Sequence, residues 1–193
     1  MSRLSRCVGA VPRTARKKAH YMKKVITKDR EETIKLGERI AKTLNPGDVI
    51  ALIGELGSGK TTFVKGIAKG LGVKGYRYVN SPSFVIIKEY RGRALLYHFD
   101  VFRLDVNGRE QARGFAARRA CLFPTDVLSF EEYFYGGGIC VVEWADKIRK
   151  LLPKKYIEVK IEILSENKRE IDISRIQTDV SGFKRIFIRM HPH

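Results

Sequence analysis

The sequence predicts an α/β domain in three layers: a mixed, partly antiparallel β-sheet flanked by helices. Three observations carry this. Val49–Ile53 is a short, wholly apolar run of the type that forms a fully buried strand, and it leads straight into a glycine-rich loop and an amphipathic helix. Two β-rich pairs, 84–90 with 94–100 and 156–164 with 168–174, are each joined by three residues, a connection that only antiparallel neighbours can use. Residues 139–142 add another buried apolar strand between the two pairs.

The elements follow in order. Val25 and Ile26 suggest a short strand. Asp29 then opens a helix, with Glu32 three residues later as in a capping box. Leu36, Ile40 and Leu44 make its apolar stripe, and Asn45-Pro46-Gly47 stops it. After the glycine-rich loop, Phe63, Ile67 and Leu71 share one face of a second helix, which Gly72 closes. No internal repeat and no linker divides the chain, and 193 residues suit one compact domain.

Composition sets the chemical class. The chain is 44% hydrophobic and 31% charged, a soluble globular balance without an apolar stretch long enough for a membrane span. Thirty-eight Lys and Arg against 21 Asp and Glu leave +17, which favours polyanionic partners such as nucleotides or RNA. Cys7, Cys121 and Cys140 form neither a CxxC pair nor an even framework, which argues against a disulfide-stapled fold and a zinc ribbon. Residues 1–21 are rich in Arg and Lys and lack any acid. They are set aside as a disordered basic tail, a start codon placed too early, or a targeting segment.

The strongest motif is Gly54-Glu55-Leu56-Gly57-Ser58-Gly59-Lys60-Thr61, a full match to G-x-x-x-x-G-K-[ST]. Its glycines let successive backbone N–H groups turn toward phosphate oxygens, Lys60 adds a point charge, and the Thr61 hydroxyl suits Mg²⁺. The helix that follows contributes the positive end of its dipole. The expected fold is therefore P-loop NTPase-like. Such a loop needs acids, and two apolar strands end in one, at Asp100 and Glu143. Either could serve the metal while the other polarises water. His98 and Cys140 are read as a hydrogen-bonded strand histidine and a core residue. Trp144, the single tryptophan, follows Glu143 directly.

Taken in order, the loop through Thr62, Ser81-Pro82-Ser83-Phe84, Tyr97-His98-Phe99-Asp100 with Arg103-Leu104, Glu131-Glu132-Tyr133-Phe134 and Glu143-Trp144-Ala145 resemble the TsaE family. These are small P-loop ATPases of tRNA threonylcarbamoyladenosine (t6A) synthesis. The resemblance spans about residues 22–175, leaving 176–193 as a C-terminal extension. It implies ATP and Mg²⁺ as cofactors, with phosphates held by Gly54 to Thr62, and Thr61 and Glu143 on the metal. Asp100 would be the acid of hydrolysis, with Lys60 and Glu143 completing the catalytic set. Ser83 would belong to a γ-phosphate-sensing segment, and Trp144 would lie near the nucleotide. The stretch around Thr27 and Thr33 and the region of Arg169 would flank the base. The implied partners are TsaD and TsaB, with tRNA contact and a cytoplasmic location. Ser83 stands where the family has Thr, and 105–130 departs as an atypical basic insertion. A small P-loop kinase with Arg109, Arg113, Arg118 and Arg119 as a lid, and a non-enzymatic RNA-binding module, are the alternatives.

Overall fold

Alternation along the strands decides the architecture. In the computed structural model, which describes residues 23–82, 86–104, 130–178 and 184–185, eight strands form one sheet. They are β1 (Lys23–Thr27), β2 (Val49–Ile53), β3 (Ile87–Arg91), β4 (Leu95–Asp100), β5 (Ile139–Glu143), β6 (Lys155–Ile163), β7 (Arg169–Thr178) and β8 (Lys184–Arg185). The order is β1-β7-β6-β2-β5-β4-β3, with β8 beside β7. β6, β2, β5 and β4 run parallel in the centre. The two hairpins expected from the sequence flank this centre, β3–β4 on one side and β6–β7 on the other, and β1 and β8 pair antiparallel with β7.

One sheet face meets α1 (Arg30–Ala41) and α2 (Lys60–Gly70), where Leu36, Phe63, Ile67 and Leu71 pack on Ile50, Leu52, Leu96 and Val141. The opposite face carries Val49, Ala51, Phe99 and Val142 against α3 (Phe130–Phe134) and a 3₁₀ turn at Ala145–Ile148. These two elements complete the third layer. They are too short to show a helical period in the sequence, which is why only the larger helices were legible.

The N-cap of α1 is the one the sequence supports, with one variation, but the helix ends at Ala41 with Lys42 as its C-cap, before Leu44 and the expected stop at 45–47. Asp29 accepts from the Glu32 N–H at 2.7 Å. The Glu32 carboxylate reaches back to the N–H of Lys28, also 2.7 Å, one residue ahead of the usual partner. Gly72 takes φ +74° beyond the last turn of α2, as a closing glycine does. Between α1 and α2, a Cβ on Gly66 would lie 2.2 Å from the Ile34 carbonyl oxygen. The two helices approach closely because that side chain is missing.

Strand β3 begins at Ile87 because Ile86 sits at φ 61°, outside extended conformation. Residues 84 and 85 of the expected strand lie outside the described residues, as do the tail 1–21, the insertion through residue 129 and most of the C-terminal extension. β7 continues past the expected boundary at residue 175 to Thr178. Cys140 is buried in the core, and burial pushes its thiol up to about 12; Cys7 and Cys121 lie outside the described residues. Among the described residues no helix is long and apolar enough to cross a membrane.

Candidate phosphate and metal site

In open sheets with parallel strands, ligands gather at the carboxyl ends, and three such ends meet here. β2 runs out into Gly54, β4 ends at Asp100 and β5 at Glu143. Register sets Asp100 beside Glu143, and Glu143 beside Leu52 of β2. Leu96, His98 and Asp100 share a face by the two-residue strand period, as do Ile139, Val141 and Glu143. Because Leu96, Ile139 and Val141 pack in the layer under α2, the two acids at the strand ends come up beneath that helix's first turn.

The loop is shaped by positions that only glycine fills cheaply. A Cβ on Gly54 would stand 2.5 Å from the Ile161 carbonyl oxygen, and Gly59, which caps α2, sits at φ +102°. Leu56 projects at the tip, 82% exposed. Lys60 folds back along the loop, its ammonium donating to the carbonyls of Gly54 and Glu55 at 2.8 Å each. Its Nζ lies 3.7 Å from the centre of the Trp144 ring, a cation–π contact. Burial pushes the Lys60 ammonium below its usual range, opposed by the nearby charges of Glu143, Asp100 and Asp146.

The acids are held from several directions. Thr61 donates to the Glu143 carboxylate, with Oγ1 at 2.9 and 3.0 Å from its two oxygens. His98 Nε2 lies 2.8 Å from Glu143 Oε1. Asp100 accepts from the Ser81 hydroxyl on one oxygen and from the Phe102 N–H, at 2.9 Å, on the other. A cavity of about 320 Å³ opens over Gly57, Lys60, Thr61 and Thr62, bounded by Ser81, Asp100, Glu143 and Trp144. Trp144 also borders a second cavity of about 570 Å³ on the side of Asp146 and Lys160. Its backbone is in the left-handed region at φ 62°, a conformation costing roughly 1–2 kcal/mol outside glycine.

Most of the residues singled out in the sequence thus converge: Gly54, Glu55, Leu56, Gly57, Ser58, Gly59, Lys60, Thr61, Thr62, Asp100, Glu143 and Trp144. Ser83 lies outside the described residues. Arg169 stands behind the loop, with Nε 3.0 Å from the Ser58 carbonyl and Nη2 3.3 Å from that of Gly57. Its remaining nitrogen, Nη1, donates to the carbonyls of Ser165, Glu166 and Lys168. It braces the loop against the β6–β7 turn. Thr27 is its register partner on β1, and Thr27 and Thr33 share a buried hydroxyl contact at 2.9 Å. The residue that sequence reasoning undervalued is His98. Its spacing two before Asp100 in a strand was the available signal, since it places both side chains on one face.

The donor set suits a hard cation carrying phosphate. Among the described residues there is no group of three His, Cys, Asp or Glu that would cage a metal alone. One hydroxyl and one carboxylate beside the glycine-rich loop suit Mg²⁺, which keeps waters and substrate phosphates in its shell.

Comparison with known proteins gives the same constellation a lineage. Residues 27–171 match the family described as threonylcarbamoyl adenosine biosynthesis protein TsaE. The chain is 40% identical over 147 residues to the tRNA threonylcarbamoyladenosine biosynthesis protein TsaE of Bacillus subtilis, covering 76% of this chain and 81% of that one. It is 38% identical over 156 residues to the TsaE protein of Aquifex aeolicus, covering 80% and 97%. The crystal structure of Bacillus subtilis YdiB superposes with a TM-score of 0.59 at 36% identity, over 79% of this chain and 84% of that one. With its sheet, its loop and most of its length accounted for, the chain belongs to the TsaE family.

Proposed function

We propose that this protein is a Mg²⁺-dependent, ATP-hydrolysing accessory protein of t6A modification of tRNA, acting in the cytoplasm on the TsaD–TsaB complex. The observation that carries the reading is the contact of Thr61 with Glu143, which joins the end of the phosphate loop to an acid 82 residues away. That pairing has no evident packing purpose, and it sets a hydroxyl and a carboxylate together where a phosphate-bound cation would lie.

The chain's own groups divide the work. Loop amides and the first turn of α2 would bind the phosphate oxygens. Lys60, now spent on two loop carbonyls, has its ammonium within reach of the same space. Mg²⁺ held by Thr61 and Glu143 would neutralise charge on the β- and γ-phosphates. Asp100, gripped at both oxygens by Ser81 and Phe102, is fixed to orient a water toward the γ-phosphate and accept its proton. Lys60 is the one cation lining this cavity among the described residues. Slow turnover by the isolated chain is the expected consequence, with a partner completing charge stabilisation.

The test is ATP turnover with Mg²⁺, for the chain alone and then with purified TsaD–TsaB. A low rate that rises on adding the partner supports the reading. A phosphorylated acceptor in place of free phosphate would make the protein a kinase. Binding of tRNA with no turnover in any mixture would make it an RNA-binding module.

A further inference from the structure

His98 is fully buried between Leu96 and Asp100 on the face of β4 beneath α2. Its register neighbours are Val141 on β5 and Lys88 on β3, Tyr90 lies 6.4 Å away ring to ring, and the layer beneath α2 is apolar. Burying an imidazole there has a cost that a leucine would not have, and its Nδ1 finds no hydrogen-bond partner among the described residues. Packing therefore does not account for a histidine at this place. What the ring gains is the 2.8 Å contact of Nε2 with Glu143 Oε1. Since the carboxylate can only accept, Nε2 carries the proton in that contact.

The Glu143 carboxylate is thus held at one oxygen by a rigid ring from within the sheet. The Thr61 hydroxyl lies against both oxygens, 2.9 Å from Oε1 and 3.0 Å from Oε2, and Oε2 has no other partner among the described residues. Thr61 is itself a proposed metal ligand, so its bond to Glu143 joins two groups that serve the same ion. The bond from His98 does not compete with that use. We infer that His98 is a positioning residue for the metal site: its Nε2–H fixes the Glu143 carboxylate so that Oε2 is presented on the Thr61 side before any cation arrives. This rests on the Mg²⁺ assignment made above. Such outer partners orient a ligand in advance and remove the cost of ordering it at binding.

The experiment uses the full chain with ADP and Mn²⁺ as probes. Free Mn²⁺ is followed by its electron paramagnetic resonance signal, and ADP affinity in EDTA by the fluorescence of Trp144, the single tryptophan. His98→Leu should weaken Mn²⁺ binding in the ADP complex by about 10- to 100-fold, with metal-free ADP affinity kept within about twofold. His98→Gln returns an N–H near the position of Nε2 and should recover most of the loss. Unchanged Mn²⁺ affinity in His98→Leu overturns the inference. So does an equal loss in His98→Gln, or a parallel fall in metal-free ADP affinity, which marks general damage to the site. If His98→Leu does not fold, His98→Gln is compared with His98→Asn, whose amide is too short to reach Glu143; equal Mn²⁺ affinities then refute the role. A wild-type chain without ADP-dependent Mn²⁺ binding would refute the metal assignment itself, which separates that failure from this one.

Discussion

The phosphate loop and the acids that face it occupy one cavity but are assembled differently. Gly54 to Thr62 arrive as nine successive residues between β2 and α2, and each owes its place to its neighbours in the chain. Glu143 and His98 touch although they stand 45 residues apart, and Asp100 joins them only because β4 and β5 pair in one register. A slip of one residue in that pairing would put Asp100 on the face opposite Glu143 and leave the loop intact. The loop is a local device, and the acid cluster is a property of the sheet.

That contrast can be broken from either side. The largest effect belongs to the loop: Lys60→Ala should weaken nucleotide binding at least about 100-fold by titration calorimetry, as loss of about 3 kcal/mol of charge-assisted contact requires. Near-normal binding would remove Lys60 from the phosphate site. On the acid side, Asp100→Asn should cut turnover by about 100-fold while leaving ATP binding nearly unchanged, since it removes a proton acceptor rather than a phosphate contact. Loss of binding to the same degree would show that the two halves are not separable.

Smaller effects sharpen the comparison. Gly66→Ala forces a methyl against the Ile34 carbonyl and should lower stability by about 1–3 kcal/mol in denaturant melts. The folded fraction should still bind nucleotide, because the substitution parts α1 from α2 without touching the strand ends. Asp172, on β7 away from the site, is a carboxylate without a catalytic partner. Its Oδ1 is buried without a hydrogen bond among the described residues, and burial pushes its pKa above the ordinary 3.8 despite Lys160 and Lys24 nearby. A raised carboxyl pKa means that folding penalises the charged form, and the penalty is felt above the folded pKa. Asp172→Asn should therefore add a few tenths of a kcal/mol at pH 7, an advantage that shrinks as pH falls through that raised pKa. A gain that persists in acid would assign the effect to something other than charge.

Much of the fold was legible because its signals are local. Val49–Ile53 is apolar throughout because its strand is covered on both faces, and the two three-residue connections leave antiparallel pairing as the only option. The loop could be read residue by residue, since its glycines, its lysine and its threonine answer to one small ligand surface. α3 and the 3₁₀ turn at Ala145–Ile148 were not legible, because four or five residues carry no period. Arg169 could be linked to the site only through resemblance, and its three nitrogens are spent on carbonyls of the loop and of the β6–β7 turn.

By itself, then, the sequence determined most of the elements, the glycine-rich loop of Gly54 to Thr61 and the two strands that end in carboxylates. Those features depend on spacing along the chain. Tertiary structure decided the strand order, which acid meets Thr61, how Asp100 is gripped, and that the hydrogen-bond partner of the strand histidine His98 is Glu143. These depend on pairing between strands distant in sequence, and a hydrogen bond 2.8 Å long leaves no trace in the spacing of residues that come together only when the sheet forms.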